Sequence, residues 1–248
     1  MNVVRILERS LNVDGYADTY NQNPGFSQAL VVRPAGGDAL VNTQLLAIYY
    51  IHGVEALQAA ADTYCTDMTW VLKGSWENTT GSTQSYTYQH TTELKVTQGS
   101  EVTTGGVPLV ASFKDLTMTV GSKTKTFSAN ETTTPQTKAV TVEAAPGKKV
   151  MFYQRQYNFR TEMFFVMDAA SVARNVAAVS GDGLSRKTCV VEIMSGDYLV
   201  TEKELINAEP GTVQPHTYPR ANKESDRGTV PRSGLTTRAR DALNLIGA

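Results

Sequence analysis

The chain has 248 residues and a mass of 26.9 kDa, enough to bury a core without staples and room for one large or two small domains. Lys and Arg number 23 against 24 Asp and Glu, a net charge of −1. That balance excludes a general nucleic-acid binder, which needs excess cation to release phosphate counterions.

Two cysteines, Cys65 and Cys189, exclude a disulfide-rich scaffold and an all-cysteine zinc site; their spacing leaves open whether they pair. His52, His90 and His216 lie far apart with no ligand spacing, so no metal and no cofactor is expected. The opening MNVVRILER interrupts its apolar residues at Arg5, Glu8 and Arg9, too early for a signal-peptide core. No stretch approaches the ~18 apolar residues that a membrane-spanning helix requires. The expectation is a chain made in soluble form and released by a route its termini do not reveal. Any membrane crossing falls to strands.

From the N-terminus, residues 1–74 mix apolar runs with Gly and Pro breaks and read as an α+β recognition region. Its one good helix candidate runs from Thr43 to about Tyr64, with Asn42 as N-cap and Gly53 as its weak point. Trp70-Val71-Leu72 opens a strand. Tyr49, Tyr50, Trp70 and Trp76 are candidates for a receptor-binding surface, although aromatics in such runs are more often core.

A β-rich module follows over 75–208. Its first half is dominated by Ser and Thr, yet from Ser85 to Thr97 the chain alternates strictly. Tyr86, Tyr88, Leu94 and Val96 share one face, and Ser85, Thr87, Gln89, Thr91, Glu93, Lys95 and Thr97 share the other. Period two with β-branched and aromatic residues predicts a strand rather than disorder. Further strands are predicted at Leu116–Val120, Val140–Val142, Met151–Phe159, Cys189–Ile193 and Tyr198–Thr201, with an alanine-rich helix from Asp168 to about Val179. From Glu209 a Pro/Arg-rich tail runs to residue 248, and Ala239–Ile246 is amphipathic enough for a last helix. The fold class expected is mainly β, with long twisted antiparallel strands, elongated, and a few short helices chiefly in the N-terminal part.

The chain carries no GxSxG elbow, GxxxxGK[ST] loop, HExxH or CxxC, and no nucleophile–base pair stands out. It reads as a protein that is not an enzyme. The informative segment lies at about 94–120, where two Ser/Thr-rich strands flank an apolar turn, Val107-Pro108-Leu109-Val110. A solvated hairpin gains nothing from an apolar tip, so the tip is either covered by another element or destined for lipid. A β-hairpin crosses a bilayer only within a closed barrel, and two strands per chain then demand a ring of copies. Leu94, Val96, Val102, Leu116, Met118 and Val120 supply candidate lipid-facing positions, and the alternation slips near Lys114-Asp115.

The run Trp76-Glu-Asn-Thr-Thr-Gly-Ser-Thr-Gln-Ser-Tyr-Thr-Tyr88 resembles the strand that opens the pore-forming module of the aerolysin superfamily, in its epsilon-toxin/mosquitocidal-toxin branch. Gly106-Val-Pro-Leu-Val-Ala111 resembles that family's apolar insertion turn, and Ser128–Val142 with the following EAAPGKKVMFYQRQY resembles its returning strands. The likeness covers about 70–167. It implies an aerolysin-like fold and a cytolytic, pore-forming protein that binds a target membrane through a receptor of glycan, lipid or protein chemistry. The protein then assembles a homo-oligomeric ring and inserts its hairpin into a shared β-barrel. It further implies proteolytic activation, for which Arg232, Arg238 and Arg240 in the tail are candidates. The alternative is a non-lytic binding or structural assembly protein on the same β-rich scaffold.

Overall fold

The computed structural model describes residues 3–5, 11–12, 30–120, 123–205 and 211–248. In chain order its strands are β1 (Val3–Arg5), β2 (Leu11–Asn12), β3 (Val31–Pro34), β4 (Ala39–Ile51), β5 (Glu55–Glu77), β6 (Gln84–Gln98), β7 (Thr117–Val120), β8 (Lys123–Thr126), β9 (Gln136–Ala144), β10 (Lys149–Ala169), β11 (Val172–Val176), β12 (Arg186–Thr201), β13 (Gly211–Val213) and β14 (Thr229–Val230). Three helices are present among the described residues: α1 (Ser100–Thr104), α2 (Ala129–Thr132) and α3 (Thr237–Ile246). The fold is mainly β, as expected, but no helix lies in the described part of the N-terminal region.

Twelve strands form one sheet in the order β1-β9-β6-β12-β10-β5-β3-β13, with β4 also on β5, β11 on β10, and β7–β8 a separate ribbon. Its spine is β5 against β10, paired antiparallel from Lys149↔Glu77 to Ala169↔Glu55. At about 3.3 Å per residue, the 23 residues of β5 reach about 75 Å. This strand also crosses the boundary expected at residue 74, so the first two regions share one continuous element.

The helix expected over Thr43–Tyr64 is instead the hairpin β4–β5. Gly53, with φ +69°, sits in its loop, and Val54 N–H donates to the Ile51 carbonyl at 3.0 Å. The alanines that argued for a helix lie on a central strand with neighbours on both edges. There a continuous apolar run replaces alternation. Their small side chains also stand opposite large ones on β10: Ala59 faces Phe165, Ala60 faces Phe164 and Ala61 faces Met163. Long-range pairing has overridden local helix propensity.

The helix expected over Asp168–Val179 is likewise a hairpin, β10–β11. Ala170 and Ser171 both take positive φ, +52° and +62°, between the paired residues Ala169 and Val172. That is the geometry of a tight two-residue turn, normally written Asn-Gly, and here it lacks the residues that announce it. The tail helix forms as expected. Its N-cap Thr236 accepts from the Ala239 N–H at 3.2 Å, and it buries Ala239, Leu243 and Ile246 along one stripe.

Two non-glycine residues in the left-handed region carry a conformational cost that glycine and asparagine avoid. The double variant Ala170→Asn/Ser171→Gly is therefore expected to gain about 1 kcal/mol, a rise of roughly 2–4 °C in a thermal melt of a chain this size.

Candidate functional site

The pairing of β6 with β9 runs in one register from Gln84↔Ala144 to Thr92↔Gln136. Residues 93–135 therefore leave and re-enter two paired strands as an insert. Beyond Thr92 the rest of β6 switches partner and pairs with β12, from Glu93↔Met194 to Gln98↔Val190. From Gln84 to Thr97 the odd-numbered residues of β6 are exposed and the even-numbered ones turned inward, the two faces read from the sequence.

The insert is not one hairpin in this state. It folds as α1, a short 3-10 turn (Val110–Phe113), the ribbon β7–β8, and α2. Gly99 opens it in a left-handed conformation, φ +77°. A Cβ there would lie 2.5 Å from the Thr188 carbonyl oxygen and 2.9 Å from Cys189 Sγ, so only glycine fits. Cys189 Sγ in turn donates to the Gly99 carbonyl at 3.2 Å. Both cysteines are free and buried, and burial pushes the Cys189 thiol up to about 11. At the other end of α1, Gly105 lies against Ile246 of α3, where an added Cβ would meet Ile246 Cγ1 at 2.7 Å. The insert and the tail thus meet helix to helix.

Val102, Val107, Leu109, Leu116 and Met118 are all buried in the main core, together with Phe113 and Phe127. Phe113 meets Phe159 of β10 edge to face, with ring centroids 5.3 Å apart. Phe127 does the same with Tyr157 at 5.0 Å. Leu94, Val96 and Val110 are half-buried, Pro108 is exposed, and the side chain of Val120 lies outside the described residues. Within the apolar turn at 107–110, Val107 and Leu109 are covered by other elements, as the first of the two readings of its composition expected.

An ionic clasp fastens the ribbon. Lys125 Nζ donates to Glu131 Oε1 at 2.8 Å and to Asp197 Oδ1 at 3.1 Å, all three side chains being about nine-tenths buried. Tyr157 OH donates to Asp197 Oδ2 at 2.8 Å, and the Gly196 N–H to Glu131 Oε1 at 2.8 Å. Glu131 also accepts from Ser128, closing a capping box on α2. Burial alone would raise the Glu131 carboxyl; the Lys125 ammonium and the Ser128 and Gly196 N–H groups reverse this and hold it below the usual range. Burial likewise opposes the Lys125 charge, but Asp197 and Glu131 together hold its pKa above the usual value. The charge types were visible in the sequence, but nothing in their spacing joined residues 125, 131 and 197.

Next to the point where β6 and β9 part, His90 is buried among Phe152 and Tyr198, with ring centroids 5.7 and 5.8 Å away. Neither ring nitrogen has a hydrogen-bond partner among the described residues. Burial, then the charge of its cross-strand partner Lys138, push its pKa below the ordinary value.

The other expected residues scatter. Trp70 is core, its ring beneath the Arg155 guanidinium at 4.2 Å, which corrects its assignment to a surface. Trp76 is half-buried and stacked on Tyr86, Tyr49 donates to Glu55 at 3.1 Å, and Tyr50 alone of the four is broadly exposed, at 67%. Arg238 and Arg240 are exposed on α3. Arg232, half-buried, donates to the Ala248 carbonyl and reaches Ser185 Oγ at 3.3 Å and Asn244 Oδ1 at 3.4 Å, folding the tail back on itself.

Removing one member of a buried ion cluster strands the others. Lys125→Met is expected to cost about 3–5 kcal/mol in urea unfolding, and the triple variant Lys125→Met/Glu131→Gln/Asp197→Asn to recover most of it. A histidine held below its ordinary pKa favours the folded state while neutral, so stability falls as pH drops from about 6.5 toward the depressed value. The melting temperature is expected to fall between pH 7 and pH 5.5, and to fall less in His90→Leu.

No protein-family model matches the chain, and no curated protein matches it. Among solved structures it is similar to the crystal structure of the oligomeric pore-forming toxin pro-Monalysin, with 11% identity, 87% of this chain and 80% of that chain covered, and a TM-score of 0.37.

Proposed function

We propose that the chain is a pore-forming protein that docks on a target membrane, assembles into a homo-oligomeric ring and refolds residues 93–135 into a β-hairpin contributed to a shared transmembrane barrel. One observation carries this reading. A Ser/Thr-rich segment rooted in two already paired strands is held as a strand end, short helices, a turn and a small ribbon, with most of its large apolar side chains covered by the body. Ser and Thr tolerate water before insertion and can line an aqueous lumen afterwards. Among the described residues no helix is long and apolar enough to cross a membrane, so strands must do it. The 43 residues of the insert suffice, since a barrel strand needs about 9–11.

The tail has a place in the same reading. α3 covers α1, and the basic residues Arg232, Arg238 and Arg240 flank and occupy the helix, so cleavage there frees the face on which the insert rests. Dye release from liposomes, with an SDS-resistant oligomer, is the expected result, enhanced by light trypsin treatment. An ordered oligomer with no release under any condition would instead favour a static assembly protein.

Movement of the insert is testable by tethering. Thr104 on α1 and Leu245 on α3 are both exposed, while the native cysteines are buried. Joining Thr104→Cys to Leu245→Cys with a short, reductant-cleavable bis-maleimide is expected to abolish dye release, and reductant to restore it. Undiminished release from the tethered protein overturns the proposal.

A further inference from the structure

We infer that the inserted hairpin continues the β6/β9 register unchanged and turns at Phe113-Lys114-Asp115, not at the apolar stretch 107–110. This inference rests on the pore-forming reading. Extending the register past Thr92↔Gln136 pairs Val102 with Thr126, Val110 with Met118 and Ser112 with Leu116, leaving a three-residue loop. In such a loop the last residue takes the left-handed conformation, and Asp115 already has φ +61°.

Partners in this register share parity, odd with odd and even with even. Side chains alternate between the faces of a strand, so each parity class occupies one face of the hairpin. The arms flanking the loop carry six charged residues, Glu93, Lys95, Glu101, Lys123, Lys125 and Glu131, and all are odd. The twenty even-numbered positions, 94–112 and 116–134, carry none. One face is therefore free of charge over its whole length, with Leu94, Val96, Val102, Val110, Met118 and Val120 on it. That face meets lipid, and the charged face lines the lumen. The apparent slip in alternation at Lys114-Asp115 is the turn itself.

Beyond β6 the present fold makes no use of this pattern. In the ribbon, Met118 pairs with Lys125 and Thr119 with Thr124, even with odd. α1 and α2 have no period of two, and Lys125, of odd number, lies turned inward beside the buried Met118, of even number. A segment-wide segregation of charge that the present fold uses only over 93–97 is a property of another state. The growing hairpin also has an edge to build on, since Glu93–Gln98 pairs with β12 on one side while α2 sits by the other, its Asn130 carbonyl accepting from Thr92 Oγ1 at 2.8 Å.

Thr119 and Thr124 provide the decisive comparison. They now face each other on the ribbon, hydroxyls 3.2 Å apart, but the continued register sends them to opposite faces. Each position from 116 to 124 is replaced in turn by cysteine and labelled with an environment-sensitive fluorophore, and emission is read before and after addition of liposomes, with leakage recorded in parallel. A blue shift and several-fold gain at 116, 118, 120, 122 and 124, with none at 117, 119, 121 and 123, is expected. The surface pair Thr119/Thr124 keeps the test valid should cysteine at buried Leu116 or Met118 fail to fold. Leakage with a gain at Thr119, or at both threonines alike, overturns the register and leaves the pore reading standing. Intact vesicles with no gain anywhere overturn the pore reading, and the register with it.

Discussion

The antiparallel pairing of β5 with β10 is the constraint on which the molecule rests. Every other described piece hangs from that ribbon. β12 adds to the free edge of β10, β6 to β12, and β9 to β6, while β4 and β3 add to β5. The side chains of β10 are buried over most of its length, and Tyr157 and Phe159 form the floor on which the insert lies. Small residues on β5 opposite large ones on β10 allow two such strands to run together without gaps.

The insert is attached to this frame by two kinds of interaction with different consequences. Its apolar side chains join the main core, which is nondirectional and tolerant of rearrangement. The Lys125–Glu131–Asp197 clasp is directional and holds only while all members are present, because a desolvated charge without its partner is costly. The second ion pair between insert and frame, Glu101 with Lys187 of β12 at 3.3 Å, is more exposed, so the buried clasp is the costlier of the two to break. Beyond Gln98 the insert lacks an extended hydrogen-bond ladder and consists of short elements whose hydroxyls bond locally to backbone carbonyls, as those of Thr103, Thr104 and Thr133 do.

Much of the β architecture was legible in the chain. Strict alternation over Ser85–Thr97 marked β6 and its two faces because an antiparallel strand with one solvated side must alternate. The same rule failed for Thr43–Tyr64, where a central strand bordered on both edges shows a continuous apolar run that mimics a helix stripe. It failed again at Ala170-Ser171, where a tight turn uses residues with no turn signature. The two failures differ in cause: for the first the deciding partner lies about a hundred residues away on β10, and for the second it is the local pairing of β10 with β11 on either side of the turn.

Composition and pattern alone determined that the chain is β-rich, that its Ser/Thr-rich stretch is ordered, and that 93–112 and 116–135 carry charge at odd positions only, since these follow from side-chain chemistry and the twofold period of a strand. The tertiary structure alone decided that this stretch folds against the main core, that residues 125, 131 and 197 meet, that His90 is enclosed in aromatic rings, and that the tail helix covers α1. Those facts depend on which distant segments pack together, and packing is set by the register of β5, β10 and β12 rather than by any local run of residues.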